Sequence, residues 1–268
     1  MGTEFVSTER EQPLTRRLFL LYHELRRDAA RYSYVVSAAR FEQHAELYAH
    51  ARTGVGAGFY PEITFDDGHI SNISLAAPIL AARGITATFF ITVGWTGVRP
   101  GYMDWPDLRA LHKSGHAIGA HGWSHTLLTH CTPRQLDAEL VRPRLTLEDK
   151  LGAPITLMSL PGGRSNRRVV AACAAAGYTH IYTSAPRSEP LPFGPTLGRL
   201  NIRGDMQPDS IAHLLDPDSQ ALAHLARAHR LKTAAQSLLG DRLYARLWAL
   251  ANRREPDEDA ALGREPSA

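Results

Sequence analysis

Two short segments carry side chains whose types and spacing could do chemistry. The first is Thr64-Phe65-Asp66-Asp67-Gly68-His69, where adjacent carboxylates follow an apolar run and precede a glycine. Neighbouring carboxylates can divide labour: one binds a cation, and the other, kept ionised beside it, takes a proton from water. Taken alone, an Asp-Asp-Gly sequence is more often a plain turn. The second segment is His121-Gly122-Trp123-Ser124-His125. An i, i+4 histidine pair on a helical turn points both rings to one side, which is metal-ligand geometry. With 13 histidines in the chain, one such pair can arise by chance, so its weight comes from placement. Asp67, His121 and His125 together would offer a divalent cation one carboxylate and two imidazoles, leaving positions open for water and substrate.

Both segments lie where strands are expected to end. The run Leu18-Phe19-Leu20-Leu21-Tyr22 reads as a buried parallel strand ending on His23, and Glu62–Phe65 reads as a short strand ending at Asp66. Phe41–Ala51 and Leu75–Arg83 read as helices, the second stopped by Gly84, and a β-rich run covers Thr86–Val93. Asp104, Pro106 and Asp107 form a helix start, and Thr132-Pro133-Arg134-Gln135 forms another, for a helix to about Leu151 that Pro143 should kink or interrupt. Strands are expected at His116–Ala120, Ile155–Leu160 and His180–Thr183, with a helix at Asn166–Ala176 before Gly177. Repeated β-then-α units, with about seven strands, predict an α/β fold: a distorted (β/α) barrel of parallel strands with an appended C-terminal helix. Chemistry in such folds sits at the C-terminal ends of the strands.

The two motifs resemble the first two signatures of the polysaccharide deacetylase family, carbohydrate esterase family 4, also called the NodB homology domain. Ala87-Thr88-Phe89-Phe90-Ile91 and Leu111 through Ser124 are similar to it in spacing, and the likeness covers about residues 18 to 215. The resemblance implies Asp66 as general base and Asp67, His121 and His125 as ligands of one divalent metal, zinc first, with cobalt, nickel or manganese compatible. It implies that Ser124 supports the histidine loop. The family's third motif usually carries an Arg that braces the catalytic Asp; the matching stretch here is Ser159-Leu160-Pro161-Gly162-Gly163-Arg164, which makes Arg164 a candidate brace and puts Pro161 and Gly162 at the substrate. A surface arginine at a helix entrance is an equally good reading of Arg164. The usual C-terminal Leu-x-His has no convincing counterpart, since Ile211-Ala212-His213 sits in a helical pattern. Leu21-Tyr22-His23 has that pattern at the front of the chain and resembles a circularly permuted branch, with His23 as general acid and Leu21 in the acetyl-methyl pocket. His69 could face substrate or solvent, and Trp95, Trp105 and Trp123 could stack on a sugar or pack in the core.

Composition narrows the classes further. The 268 residues, 44% of them hydrophobic, suit one large domain. Expected boundaries are a disordered lead-in at 1–15, the barrel at 16–217, a helical extension at 218–254 and a disordered tail at 255–268. Thirty basic against 27 acidic side chains give a net charge of only +3, so no nucleic-acid partner is expected. Cys131 and Cys173 form no CxxC, so neither a disulfide scaffold nor a zinc-thiolate site is implied. No run approaches the roughly 18 apolar residues of a membrane span, and no secretory leader is evident, so a cytoplasmic protein is expected. The resulting expectation is a metal-dependent hydrolase that removes an acyl group, acetyl first, from an amino sugar. An amidase of the same fold on a non-sugar amide, or a silent carbohydrate-binding member, are the alternatives; oligomeric state is left open.

Overall fold

The computed structural model describes residues 16–28, 33–53 and 58–239. The expected lead-in at 1–15, the tail at 255–268 and the part of the helical extension after residue 239 lie outside them. The chain runs through β1 (Arg16–Tyr22), β2 (Glu24–Arg26), β3 (Val35–Ser37), α1 (Ala38–Arg52), β4 (Tyr60–Phe65), α2 (Ala77–Ala81), β5 (Ala87–Ile91) and α3 (Trp105–Lys113). It continues with β6 (Ala117–Ala120), α4 (Pro133–Leu151), β7 (Leu157–Ser159), α5 (Arg167–Ala175), β8 (His180–Tyr182), β9 (Glu189–Pro190), β10 (Thr196–Leu197), β11 (Arg199–Asn201), α6 (Pro208–Leu215) and α7 (Ala221–Leu239).

The last five residues of β1 are all buried, as befits a strand covered on both faces. It pairs in parallel with β4 on one side and β11 on the other. The sheet order is β10-β8-β7-β6-β5-β4-β1-β11, with β9 antiparallel to the start of β1. Only Gly198 separates β10 from β11, so a single extended segment supplies both ends of this sheet. Its first half pairs with β8 and its second half with β1, which brings the sheet almost to a closed barrel. A Cβ at Gly198 would run into the Ala185 carbonyl and the Arg187 side chain, so only glycine fits at this seam.

Alternation along the strands divides the apolar residues between two cores. Phe19, Phe90, Tyr182 and Leu197 fill the barrel interior, with Phe19 edge-on to Tyr182 at 5.3 Å. The other face of the strands packs under the helices, where Leu18, Leu20, Tyr22, Phe65 and Phe89 join one large cluster that includes Cys173. Helix starts follow the expected chemistry. Asp104 with Asp107, and Thr132 with Gln135, form reciprocal capping boxes.

Three expectations need correcting. Pro143 does not interrupt α4, which runs unbroken for 19 residues. The buried face carrying Leu136, Leu140, Pro143 and Leu147 holds the helix on both sides of the missing N–H. The helix expected over Leu75–Arg83 begins instead as a π-helical turn, Asn72–Ala76, in which the Ala77 N–H reaches the Asn72 carbonyl. Pro78 has no N–H to offer the carbonyl four residues back, which favours the wider turn just ahead of it. Finally, the short strands β2, β3 and β9 to β11 were not expected. Two or three residues are too few to show a period. No described helix is long and apolar enough to cross a membrane.

Candidate metal and active site

Asp66 ends β4, where its N–H still bonds the Tyr22 carbonyl at 3.0 Å, so sheet pairing carries the strand up to the carboxylate. The residue is 2% exposed. Its oxygens are gripped by a fully buried guanidinium, Arg199 Nη1 to Oδ1 and Nη2 to Oδ2, both at 2.7 Å. The Ser159 hydroxyl donates to Oδ2 at 2.9 Å, and Arg199 Nη2 also donates to Ser159 Oγ at 2.7 Å. Burial pushes the Asp66 carboxyl upward, but Arg199, with help from His121 and His23, holds it well below the usual carboxylate range. Asp66 is therefore ionised at neutral pH. The guanidinium on Asp66 belongs to Arg199, not to Arg164. Arg164 follows the turn Pro161–Gly163, whereas Arg199 enters from β11, next in the sheet to β1.

Asp67 takes a left-handed backbone conformation (φ 72°), which turns its carboxylate onto a different course from that of Asp66. Its Oδ1 lies 3.4 Å from His121 Nε2 and 3.3 Å from His125 Nε2. One ligand-type atom from each of these three residues lies within 4.8 Å of the others. His121 follows β6, with its N–H on the Ile91 carbonyl at 2.8 Å. Its Nδ1 is 2.9 Å from the Ser159 carbonyl, which can only accept, so the proton sits on Nδ1 and the Nε2 lone pair faces Asp67. Burial lowers the His121 pKa to about 3, outweighing the opposing pull of Asp66, and keeps the ring neutral. A neutral imidazole with its lone pair beside a carboxylate and a second imidazole suits zinc or a similar divalent cation. The histidines do not converge on a helical turn, as spacing suggested. Gly122 (φ 77°) and His125 (φ 64°) are both left-handed, and the loop folds back to bring the rings within 5.0 Å.

The remaining candidates separate by position. His23 follows β1 at the same barrel mouth, partly buried, with its ring against Tyr34 and its carbonyl held by the Asn72 side chain at 2.7 Å. Leu21 is buried in register with Thr64 and Asn201. His69 bonds the Ser71 hydroxyl through Nδ1 at 2.8 Å, has Nε2 4.0 Å from Glu24, and meets Tyr102 edge-on. Trp95 lies 5.4 Å from His125 and so borders the Asp67, His121 and His125 cluster, whereas Trp105 and Trp123 pack on the core. Ser124 bonds Glu139 and Thr126. Pro161 is buried at the 3-10 turn that opens after β7. Sequence reasoning gave no role to Arg199, Ser159, Glu139 or Asn72. A signal for Arg199 exists in retrospect: it is a lone charge between Leu197 and Leu200, on a stretch whose neighbours are core.

A family model described as polysaccharide deacetylase matches residues 60–181, from β4 through the start of β8. The Bacillus subtilis protein YxkH, itself named as a polysaccharide deacetylase, is 28% identical over 124 residues, which are 46% of this chain and 44% of that one. Chitin deacetylase 1 of Cryptococcus neoformans is 31% identical over 119 residues, or 44% of this chain and 24% of that one. This chain thus spans less than half the length of either relative. Among solved structures, a Streptococcus pyogenes deacetylase in complex with acetate superposes with a TM-score of 0.66 at 19% identity, covering 75% of this chain and 99% of that one. That likeness establishes the barrel fold. Over residues 60–181 this chain is thus similar to the polysaccharide deacetylase family.

Proposed function

We propose that this protein is a metal-dependent hydrolase that removes N-acetyl groups from an amino sugar in a glycan, glycoconjugate or glycan precursor. The observation that carries the reading is a buried, ionised Asp66 beside the donor set Asp67, His121 and His125. The likeness to the polysaccharide deacetylase family over residues 60–181 supports it, as does the likeness to the chitin deacetylase of Cryptococcus neoformans.

When bound, a divalent cation supplies Lewis-acid polarisation of the amide carbonyl and an acidified water. The chain's own groups then divide the rest. Asp66 accepts a proton as the water oxygen bonds to the carbonyl carbon. Arg199 and Ser159 fix the plane of that carboxylate while leaving Asp66 Oδ1 with spare acceptor capacity. A backbone amide of the Pro161–Gly163 turn steadies the developing oxyanion, and Leu21 lies against the acetyl methyl. Breaking the C–N bond requires a proton on the departing nitrogen, and His23 supplies it, leaving acetate and a free amine. The position of His23 supports this role: it follows β1 at the barrel mouth it shares with Asp66, whose N–H bonds the neighbouring Tyr22 carbonyl. A histidine ahead of the metal motifs suits a permuted strand order.

The test is acetate release from N-acetylglucosamine oligomers and conjugates, run beside a panel of non-sugar N-acyl and cyclic amides. The sugar substrates should be preferred, and Asp66→Asn should abolish turnover. Preference for a non-sugar amide would replace the proposed substrate class while leaving the hydrolytic site intact.

A further inference from the structure

The histidine loop is gripped from two sides by groups that do not belong to the motif. On one side the Val93 and Gly94 N–H groups donate to the carbonyls of Gly122 and Trp123, at 3.2 and 2.9 Å. A Cβ on Gly94 would come within 2.5 Å of the Trp123 oxygen, so the two segments are already in close approach. On the other side stands one carboxylate, Glu139 of α4, only 9% exposed. Its Oε2 accepts from the Trp123 N–H at 2.7 Å and the Ser124 N–H at 3.0 Å, while Oε1 accepts from the Ser124 hydroxyl at 2.6 Å. One turn further along α4, the Arg142 guanidinium lies 3.4 Å over the Trp123 ring. All three of these hydrogen bonds fall between Gly122 and His125, the two left-handed positions of the loop.

We infer that Glu139 is a positioning residue for the metal site: it locks the loop in the fold that turns His125 back toward Asp67 and His121. A loop held by backbone contacts on one side only would have other conformations available, and His125, a non-glycine residue at positive φ, would gain by leaving its own. The carboxylate closes those routes because its hydrogen bonds are charge-assisted and lie in a buried place. Ser124 passes the constraint on, since its oxygen also meets Thr126 Oγ1 at 2.7 Å. The inference rests on the reading of Asp67, His121 and His125 as metal ligands.

Zinc titration of the folded full-length protein, with cobalt absorption as a second readout of ligand geometry, tests it. Glu139→Ala and Glu139→Asp, the latter withdrawing the carboxylate by one methylene, should each weaken zinc binding about 10- to 100-fold. Glu139→Gln should stay within about threefold of wild type, because its carbonyl can take both amides and its NH2 can donate to Ser124. A purely structural Glu139 would change the melting temperature but not the zinc affinity of the folded variants or the cobalt spectrum. In the metal-free wild type, the Trp123 and Ser124 amides should be protected from hydrogen exchange. Wild-type affinity in Glu139→Asp, or unprotected amides, overturns the inference. Equal zinc binding by wild type and Asp67→Ala would instead overturn the metal reading beneath it.

Discussion

Arg199 is the side chain on which the chemistry of Asp66 turns. A carboxylate 2% exposed is costly unless paired, and the guanidinium fork matches both of its oxygens. Removing the fork with Arg199→Ala leaves a buried charge alone and should lower unfolding free energy by about 3–5 kcal/mol. Arg199→Lys keeps charge but loses the bidentate geometry, and should cut acetate release by about 100-fold or more through misorientation of Asp66. The pH dependence has a definite sign. With Arg199 present the Asp66 carboxyl is depressed, so its ionised form and its stabilising pair persist as pH falls, and both are lost only in strong acid. Without the positive charge, burial dominates and raises the carboxyl, so the acid limb of the rate profile should move to higher pH in Arg199→Ala. An unmoved acid limb would mean that Arg199 does not govern Asp66. The residue types and spacing of Asp67, His121 and His125 made that cluster legible in the sequence, because each lies at or just after a strand end with a recognisable apolar run. The brace was not legible. Arg164 is near the right turn in sequence, yet the fork comes from a three-residue strand, and which strands become neighbours is set by the closing of the sheet.

Among the elements, the split strand β10–β11 has the most to hold. Its first half ends the sheet at β8, and its second half delivers Arg199 beside β1, so the seam and the site share one segment. Gly198→Ala should push against Ala185 and Arg187, destabilise the fold by about 1–3 kcal/mol and disturb Arg199 one residue on. Chemical denaturation and acetate release should therefore fall together in this variant; wild-type stability with full activity would show that the seam tolerates a side chain. The better-signalled elements were those with side-chain chemistry at their ends. The capping boxes at Asp104 and Thr132 fixed the starts of α3 and α4, and Asn166 caps α5 through the Val169 N–H. The π-helical turn at Asn72–Ala76 was not legible, since its cause lies in one proline and its purpose in a tertiary contact: Asn72 reaches the carbonyl of His23.

Over the whole molecule, the barrel has one core inside and another beneath its helices, and buried histidines sit close to both. His121 has its pKa lowered to about 3 and His44 to about 4, in each case chiefly by burial. His44 is tied to Tyr22 Oη at 3.0 Å and to the Met206 carbonyl at 3.2 Å, joining α1 to β1 and to the segment before α6. Both rings are neutral in the folded chain at pH 5 to 7, while in the unfolded chain they take protons near the ordinary value of about 6.5. Their stabilising contribution is complete above that value and declines as pH falls toward 4. Metal-free protein should thus lose melting temperature steadily from pH 7 to pH 5, a range in which Asp66 does not titrate. A flat melting profile over that range would contradict the assignment of two neutral buried rings. The parallel barrel itself was legible from β-then-α repetition, because long apolar runs and capped helices dominate residues 16–183, but its sheet holds nine strands among the described residues rather than about seven, the added ones being too short to show a period.

We propose that hydrolysis depends on a divalent cation held by Asp67, His121 and His125. The most direct measurement is acetate release from an N-acetylglucosamine oligomer by chelator-stripped protein, before and after stoichiometric zinc is restored. Turnover should vanish on stripping and return with zinc in the wild type, but should not return in Asp67→Ala. Undiminished acetate release by the stripped protein would rule out that dependence on a cation.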